Sequence, residues 1–138
     1  MKSSALIICV AGLWLASPAF AKVEGQMAPG GLGTEICLVD NLAVQENFRA
    51  AFVKQINARG YATRFVQQMT DCPVVMTFTA QYAMSGGWRR VLKISQFKVF
   101  RNGEQVGTAN FRFSHGPGGN GTVEEVIGEM LAKMLPPR

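Results

Sequence analysis

The chain has 138 residues, a formal net charge of +5 at pH 7 and 48% hydrophobic residues. This length is that of one folded domain with a single core. The basic excess is compatible with anionic partners, but it is too small to indicate a nucleic-acid-binding protein.

Residues 1–21 have the pattern of a secretory signal peptide. Lys2 gives a positive start, the stretch ALIICVAGLWLA is apolar, and Ala19-Phe20-Ala21 is a small-x-small cleavage site. The alternative is a membrane anchor, but the apolar stretch is shorter than the roughly 20 residues that span a bilayer. We therefore expect cleavage after Ala21 and a periplasmic or secreted protein without a transmembrane span.

Two cysteines, Cys37 and Cys72, remain after Cys9 leaves with the signal peptide. In an exported chain such a pair most simply forms one disulfide, which would stabilise the fold by about 4 kcal/mol in the chain-entropy model. The alternative is a redox or metal pair, but the sequence has no Cys-x-x-Cys and only one histidine. We expect a structural disulfide, no metal and no cofactor.

The first predicted elements follow a glycine-rich stretch. Residues 22–33, KVEGQMAPGGLG, contain four glycines and a proline and predict a flexible tether. The apolar run at 35–39 predicts a buried strand. Asn41 then caps a predicted amphipathic helix, which ends at Gly60. The apolar residues of this helix recur at spacings of three and four: Val44, Phe48, Ala51, Phe52 and Ile56.

The middle of the chain predicts strands and tight turns. The predicted strands lie at 61–68, 74–84, 88–100 and 105–114. The first of them follows a strand and a helix, an order that favours parallel pairing with the strand at 35–39. Asn102-Gly103 predicts a two-residue hairpin between the last two strands.

The hairpin sets a register between its two strands. With Arg101 opposite Glu104, continuous pairing would place Lys93 across from Arg112, and Arg89 on the same face farther along. Two like charges that face each other destabilise a strand pair. We therefore name Arg89, Lys93 and Arg112 as predicted binding residues for an anion or an acidic partner surface. The alternative is that these side chains are simply solvated.

The same register makes both hairpin strands change their apolar face at one place. Phe97 and Val99 would share one face with Val106, whereas Leu92 and Ile94 would lie on the other. Three explanations fit this pattern: a sheet covered on both faces, paired bulges, or a bare apolar patch that awaits a partner.

The glycine-rich stretch SHGPGGNG, residues 114–121, precedes a second predicted helix. It lacks the lysine of a Walker-type phosphate loop, and Glu124 and Glu125 in the first turn of the helix would repel an anion. Thr122 and Glu125 instead form a T-x-x-E capping pattern, so we expect a chain reversal into a capped helix that ends before Pro136-Pro137. His115 lacks a second metal ligand or a nucleophile, so we expect no catalytic residue and no enzyme activity.

The order of these elements resembles the Sbal-type family of small bacterial envelope lipoproteins over residues 35–134. The resemblance rests on Cys37, Asn41, Cys72-Pro73, the strand residues Thr77 to Ala80, and the Asn102-Gly103 hairpin. It implies a periplasm-facing α/β domain with a disulfide. In shape, the domain is more distantly similar to the amino-terminal domain of TolB and to LpoB, an activator of peptidoglycan synthases. This chain has no lipid-attachment cysteine after the signal peptide.

We thus expect one α/β (α+β) domain at 34–138, with the order β-α-β-β-β-β-α, a mixed five-stranded sheet and two helices. The expected function is that of a non-catalytic binding or accessory protein of the bacterial cell envelope, which acts on another envelope protein through protein–protein contacts. The alternative is a docking module for anionic envelope lipid or polymer, with Arg89, Lys93 and Arg112 as the contact residues.

Overall fold

A computed structural model of the chain describes residues 21–85, 89–113 and 122–137. The strands are β1 (Ala21–Met27), β2 (Glu35–Val39), β3 (Ala62–Val66), β4 (Val74–Ser85), β5 (Arg89–Arg101) and β6 (Glu104–Phe113), and the helices are α1 (Glu46–Ala58) and α2 (Val123–Met134). Two sequence predictions concern segments outside the described residues: the signal peptide up to residue 20 and the loop at 114–121 with His115.

The prediction of a five-stranded sheet is wrong, because the sheet has six strands in the order β1-β6-β5-β4-β2-β3. The additional strand, β1, occupies the first part of the predicted tether and pairs antiparallel with β6 along its whole length. Apart from Gly25, the side chains of β1 alternate as in a strand: Val23 and Met27 pack on the core, whereas Glu24 and Gln26 are exposed. The domain is otherwise α+β with two helices, as expected.

The second part of the predicted tether, residues 28–33, connects β1 at the sheet's edge, through Thr34, to β2 beyond three intervening strands. The guanidinium of Arg101, at the end of β5, donates hydrogen bonds to the carbonyl oxygens of Pro29 at 3.2 Å and Gly31 at 3.3 Å. Leu32 is buried in the core. This connection is therefore held against the end of the sheet by specific contacts.

Helix α1 begins at Glu46 with Gln45 as its N-cap, so the prediction that Asn41 caps this helix is wrong. Asn41 Oδ1 instead accepts a hydrogen bond from the backbone N–H of Ala43 at 3.1 Å. Its Nδ2 donates to the carbonyl oxygen of Phe78 in β4, also at 3.1 Å. Asparagine serves equally well in such local turns, and here the turn joins β2 to α1 and ties it to the sheet.

Both helices pack on one face of the sheet. Phe48 and Phe52 of α1 contact Phe78 of β4 and Phe97 of β5, with the Phe52 and Phe97 ring centroids 4.6 Å apart. Helix α2 adds five buried apolar side chains to the same core. Between them the helices cover a large part of this face, and neither has the length and hydropathy needed to cross a bilayer.

Two local predictions for the termini of these elements are confirmed. Thr122 caps α2, since its Oγ1 accepts a hydrogen bond from the backbone N–H of Glu125 at 3.2 Å. The two-residue hairpin turn has positive φ angles at Asn102 (52°) and Gly103 (83°), as a type I′ turn requires. The parallel pairing of β2 with β3 is confirmed as well.

The disulfide between Cys37 and Cys72 is confirmed, with a Cα–Cα distance of 6.2 Å. Cys37 belongs to β2, and Cys72 belongs to the connection from β3 to β4. Cys37 forms a second, smaller cluster with the buried residues Val66 and Val75. By register these three side chains point away from the helices, so the disulfide lies over the β2–β3 part of the opposite face.

Candidate functional site: the open face of the sheet

The rest of the face opposite the helices forms a regular polar grid, which we call the open face. It consists of three rungs across β1, β6, β5 and β4, because directly paired residues project to the same side of a sheet. Its residues are Glu24 and Gln26 of β1, Arg112, Asn110 and Thr108 of β6, Ile94, Gln96 and Lys98 of β5, and Gln81, Thr79 and Thr77 of β4. None of them belongs to the two apolar clusters found among the described residues.

The open face is rich in hydrogen-bonding groups and poor in apolar ones. On the middle rung, Gln96 Nε2 donates a hydrogen bond to Asn110 Oδ1 at 2.8 Å. A surface depression of about 320 Å³ lies between Glu24, Ile94 and Arg112, and one of about 240 Å³ adjoins it along β1 and β6. Ile94 is the only large apolar side chain of these three rungs, and Phe100, on the same side of β5, is separated from it by Gln96 and Lys98, so the face has no contiguous apolar patch within the rungs.

Two β-bulges explain why the apolar residues of the hairpin strands change sides along the predicted register. Val106 is an extra residue of β6, inserted between the pairs Phe100↔Gln105 and Val99↔Gly107. Another bulge lies in β5, between the pairs Gln81↔Ile94 and Tyr82↔Leu92. Each bulge shifts the register by one residue, so that Leu92 of β5 and Phe111 of β6 lie on the helix side together with Phe97. Bulges therefore account for the pattern, but they lie at two different places and in two different strand pairs, not as the single pair that the sequence suggested.

The predicted rung of Lys93 and Arg112 does not exist, because the register beyond the Val106 bulge differs by one residue. Arg112 pairs with Ile94 and lies exposed on the open face. Lys93 is the extra residue of the β5 bulge and is also exposed. Arg89 is placed by its backbone, opposite Ser85 at the start of the β4–β5 pairing. The structure thus leaves Arg112 on the face, places Lys93 at its margin, and does not pair the two.

Four basic side chains of the described residues make no hydrogen bond or ion pair: Arg90, Lys93, Lys98 and Arg112. All four lie on β5 or β6. Of the two on the open face, Lys98 is the one that sequence reasoning missed. Its position between the buried residues Phe97 and Val99 was the available signal, because a polar residue that alternates with core residues must face the other side of the sheet.

On the two helices, the charged side chains without a partner are acidic. Lys54 of α1 forms an ion pair with Glu124 of α2 at 2.8 Å, and this hydrogen-bonded partner lowers the pKa of the Glu124 carboxyl. The carboxylates of Glu46, Glu125 and Glu129 have no hydrogen bond or ion pair within the described residues. Among the described side chains, the bases without a partner therefore lie on the sheet, and the acids without a partner lie on the helices, except for Glu104 beside the hairpin turn.

A partly buried tyrosine lies at the far end of the β4–β5 pairing. The Arg90 guanidinium lies 5.7 Å from the centroid of the Tyr82 ring. The Tyr82 hydroxyl is buried and has no hydrogen-bond partner among the described residues. Burial raises the pKa of Tyr82 above its ordinary value of 10.0, and the charge of Arg90 opposes this shift. At neutral pH the Tyr82 side chain is thus a neutral phenol.

One group of residues in the described parts of the chain has the ligand types and spacing of a metal site: Glu35, Cys37 and Cys72, whose ligand atoms lie within 4.8 Å of one another. The two sulfur atoms are bonded to each other, so neither is the thiolate that binds a metal. The Glu35 carboxylate is 3.3 Å from the Arg64 guanidinium. This cluster stabilises the start of β2 and is not a metal centre while the disulfide is intact.

The fold and the open face define a class: a two-layer α+β domain whose helices cover one side of a mixed sheet and leave a polar surface on the other. No protein-family model matches the chain, and no curated protein sequence matches it significantly. Solved structures do match its fold. PelC from Paraburkholderia phytofirmans, a dodecamer, aligns with a TM-score of 0.60 at 14% identity, over 84% of this chain and 99% of that one.

A second PelC dodecamer, of a single-substitution variant from the same organism, aligns with a TM-score of 0.59 at 14% identity, over 81% of this chain and 97% of that one. A PDZ domain protein from Parabacteroides distasonis aligns with a TM-score of only 0.44 at 5% identity, over 80% of this chain and 35% of that one. At 14% identity the PelC alignments show a common fold only, so a function for this chain rests on its own residues.

Proposed function

We propose that this chain is a non-catalytic accessory protein of the bacterial cell envelope, which acts through protein–protein contacts made by the open face. The observation that carries the proposal is a sheet face, four strands wide, that neither helix covers. Disulfides persist in oxidising compartments, so the bond between Cys37 and Cys72 supports export, together with the signal-peptide pattern of the sequence.

Two further considerations support this proposal. The sequence offers neither paired carboxylates nor a nucleophile with a base, which favours binding over catalysis. PelC, which shares the fold, is a dodecamer, so contacts between identical copies are among those to test for this chain. The resemblance to Sbal-type envelope lipoproteins is the reason for proposing the envelope.

The test is chemical crosslinking followed by pull-down of the native protein from a periplasmic extract. Thr79→Arg places a long charged side chain on the exposed middle rung of the open face. Ala50→Arg makes the same kind of change at an exposed position of α1, in the helix layer, and serves as the control. We expect Thr79→Arg to lose the captured protein and Ala50→Arg to keep it. Equal capture by both variants would contradict a role for the open face.

A second candidate function is docking on anionic envelope lipid or polymer. The uncompensated bases Lys98 and Arg112 on the open face, and Lys93 at its margin, favour it. Co-sedimentation with vesicles of anionic and of neutral phospholipid, at low and high salt, tests the lipid form of this candidate. Binding that requires anionic lipid and is lost in the Lys98→Gln/Arg112→Gln double variant would favour it over the first proposal.

A further inference from the structure

Uncompensated charges of opposite sign lie on the two sides of the domain. Lys98 and Arg112 are on the open face, whereas Glu125 and Glu129 are exposed on α2. The two carboxylates are four residues apart, so they share one side of the helix. The buried residues of α2 occupy the other side, so this acidic side points away from the sheet.

We propose that the open face of one copy binds the acidic side of α2 on a second copy, with Lys98 and Arg112 opposite Glu125 and Glu129. This inference names the partner in the protein–protein contact proposed above and rests on that proposal. The contact joins two different surfaces, so each bound copy still has one free surface for a further copy. Head-to-tail contacts of this kind close into a ring or continue as a filament.

A second copy explains more of the surface than the other occupants do. An apolar partner would need clustered apolar anchors, whereas Ile94 and Phe100 are six residues apart on β5, with Gln96 and Lys98 between them on the same side. An acidic polymer would match Lys98 and Arg112 but would leave the carboxylates of α2 unexplained. A second copy compensates both sets of charges with groups that the chain itself carries.

The dimensions of the open face set the strength of each contact. Four strands about 4.8 Å apart and three rungs give a surface of about 20 Å by 20 Å with its side chains, or about 400 Å² per copy. Two such surfaces bury about 800 Å² in total, which is below the roughly 1,000 Å² of a stable interface. We therefore expect each contact to be weak, to depend on protein concentration, and to be weakened by salt.

The test is sedimentation velocity of the purified mature chain over a concentration series at low and high salt. One variant, Lys98→Glu/Arg112→Glu, reverses the bases of the open face, and another, Glu125→Lys/Glu129→Lys, reverses the acids of α2. The control Glu104→Lys changes an exposed carboxylate of the hairpin, away from both surfaces. Circular dichroism melts of all variants confirm that each is folded before its association is compared.

We expect the wild type and the control to associate at low salt and each reversed variant to be monomeric alone. A mixture of the two reversed variants restores opposite charges across the contact, so it should associate within about threefold of the wild-type dissociation constant, a difference of less than 1 kcal/mol. A monomeric wild type at every concentration would overturn the inference. So would association that is lost when the bases are reversed but kept when Glu125 and Glu129 are reversed, a result that points to a different acidic surface of the second copy. If the wild type is monomeric but the pull-down still depends on Thr79, the proposed function stands and this inference fails.

Discussion

A single methyl group added at Gly25 should weaken the packing of β1 against α2. Gly25 lies in the middle of β1, and a Cβ at this position would be 2.9 Å from the Cβ of Lys133 and 3.0 Å from the carbonyl carbon of Lys133 in α2. Part of this contact is helix backbone, so it cannot be relieved by rotating a side chain. Lys133 also donates a hydrogen bond from its Nζ to the carbonyl oxygen of Val23 at 2.8 Å. Gly25→Ala must therefore move β1, α2 or both.

The magnitude follows from the geometry. Forcing an extra carbon into a packed contact costs about 1–3 kcal/mol. Gly31→Ala is the matched control, because a Cβ there meets no atom within 4 Å. A Gly-to-Ala change without a clash stabilises a protein by about 0.4–1 kcal/mol, since it restricts the unfolded chain. The two variants should therefore shift the free energy of unfolding in opposite directions.

Two measurements check this prediction. Thermal melts should place Gly25→Ala about 4–12 °C below the wild type and Gly31→Ala at or above it, since about 1 kcal/mol corresponds to about 4 °C in a chain of this size. Hydrogen exchange should speed up in β1 and at the end of β6 that pairs with it. If Gly25→Ala melts like the control and its β1 amides stay protected, β1 does not pack against α2 as the structure has it.

Three further predictions concern the disulfide, the hairpin and Tyr82. Replacing Cys37 and Cys72 together with serine should lower the free energy of unfolding by up to about 4 kcal/mol in a denaturant titration, and two alkylatable thiols in the purified mature protein would contradict the bond itself. Asn102→Ala should cost about 1 kcal/mol because its φ is positive, whereas Asn102→Gly should unfold within about 0.5 kcal/mol of the wild type. In an ultraviolet pH titration, the phenol of Tyr82 should ionise above its ordinary pKa, and Arg90→Gln should raise this pKa further. Because the folded-state pKa is the higher one, the stability that Tyr82 contributes is present below pH 10 and is lost as the pH rises through the folded value; an unshifted titration would contradict its burial.

The sequence was most informative where one residue type determines a local geometry. Asn102-Gly103 predicted the hairpin because few other residue pairs tolerate positive φ at both positions, and the cap at Thr122 followed from its hydroxyl and its place before an apolar stripe. The disulfide followed from there being one pair of cysteines to join. None of these predictions needed knowledge of distant contacts.

The sequence was misleading where a distant contact decides the local structure. Glycine at position 25 indicated a flexible tether, yet the close approach of Lys133, more than one hundred residues away, is what requires a residue without a Cβ. Asn41 had the chemistry of a helix cap, but its side-chain amide bonds to Phe78 of β4. Local propensity carries no information about such distant partners, so neither the strand at Gly25 nor the role of Asn41 could be predicted from neighbouring residues.

The candidate site depended on register, which the sequence determines only up to the first bulge. Because Val106 is an extra residue, Arg112 pairs with Ile94 and not with Lys93, so the predicted pair of like charges does not form. The same shift placed Lys98 and Arg112 on one face. The sequence thus predicted that the hairpin carries basic residues, but it predicted the wrong pairs and the wrong faces for them.

The strand that the sequence missed also completes the surface on which both proposals depend. β1 supplies Glu24 and Gln26 to the open face and one wall of both depressions in it. Gly25 lies between these two residues and points to the other side of the strand, toward α2. A clash at Gly25 therefore disturbs the open face without changing any residue on it. If the open face binds a second copy, Gly25→Ala should weaken association as well as stability, whereas Gly31→Ala should change neither surface.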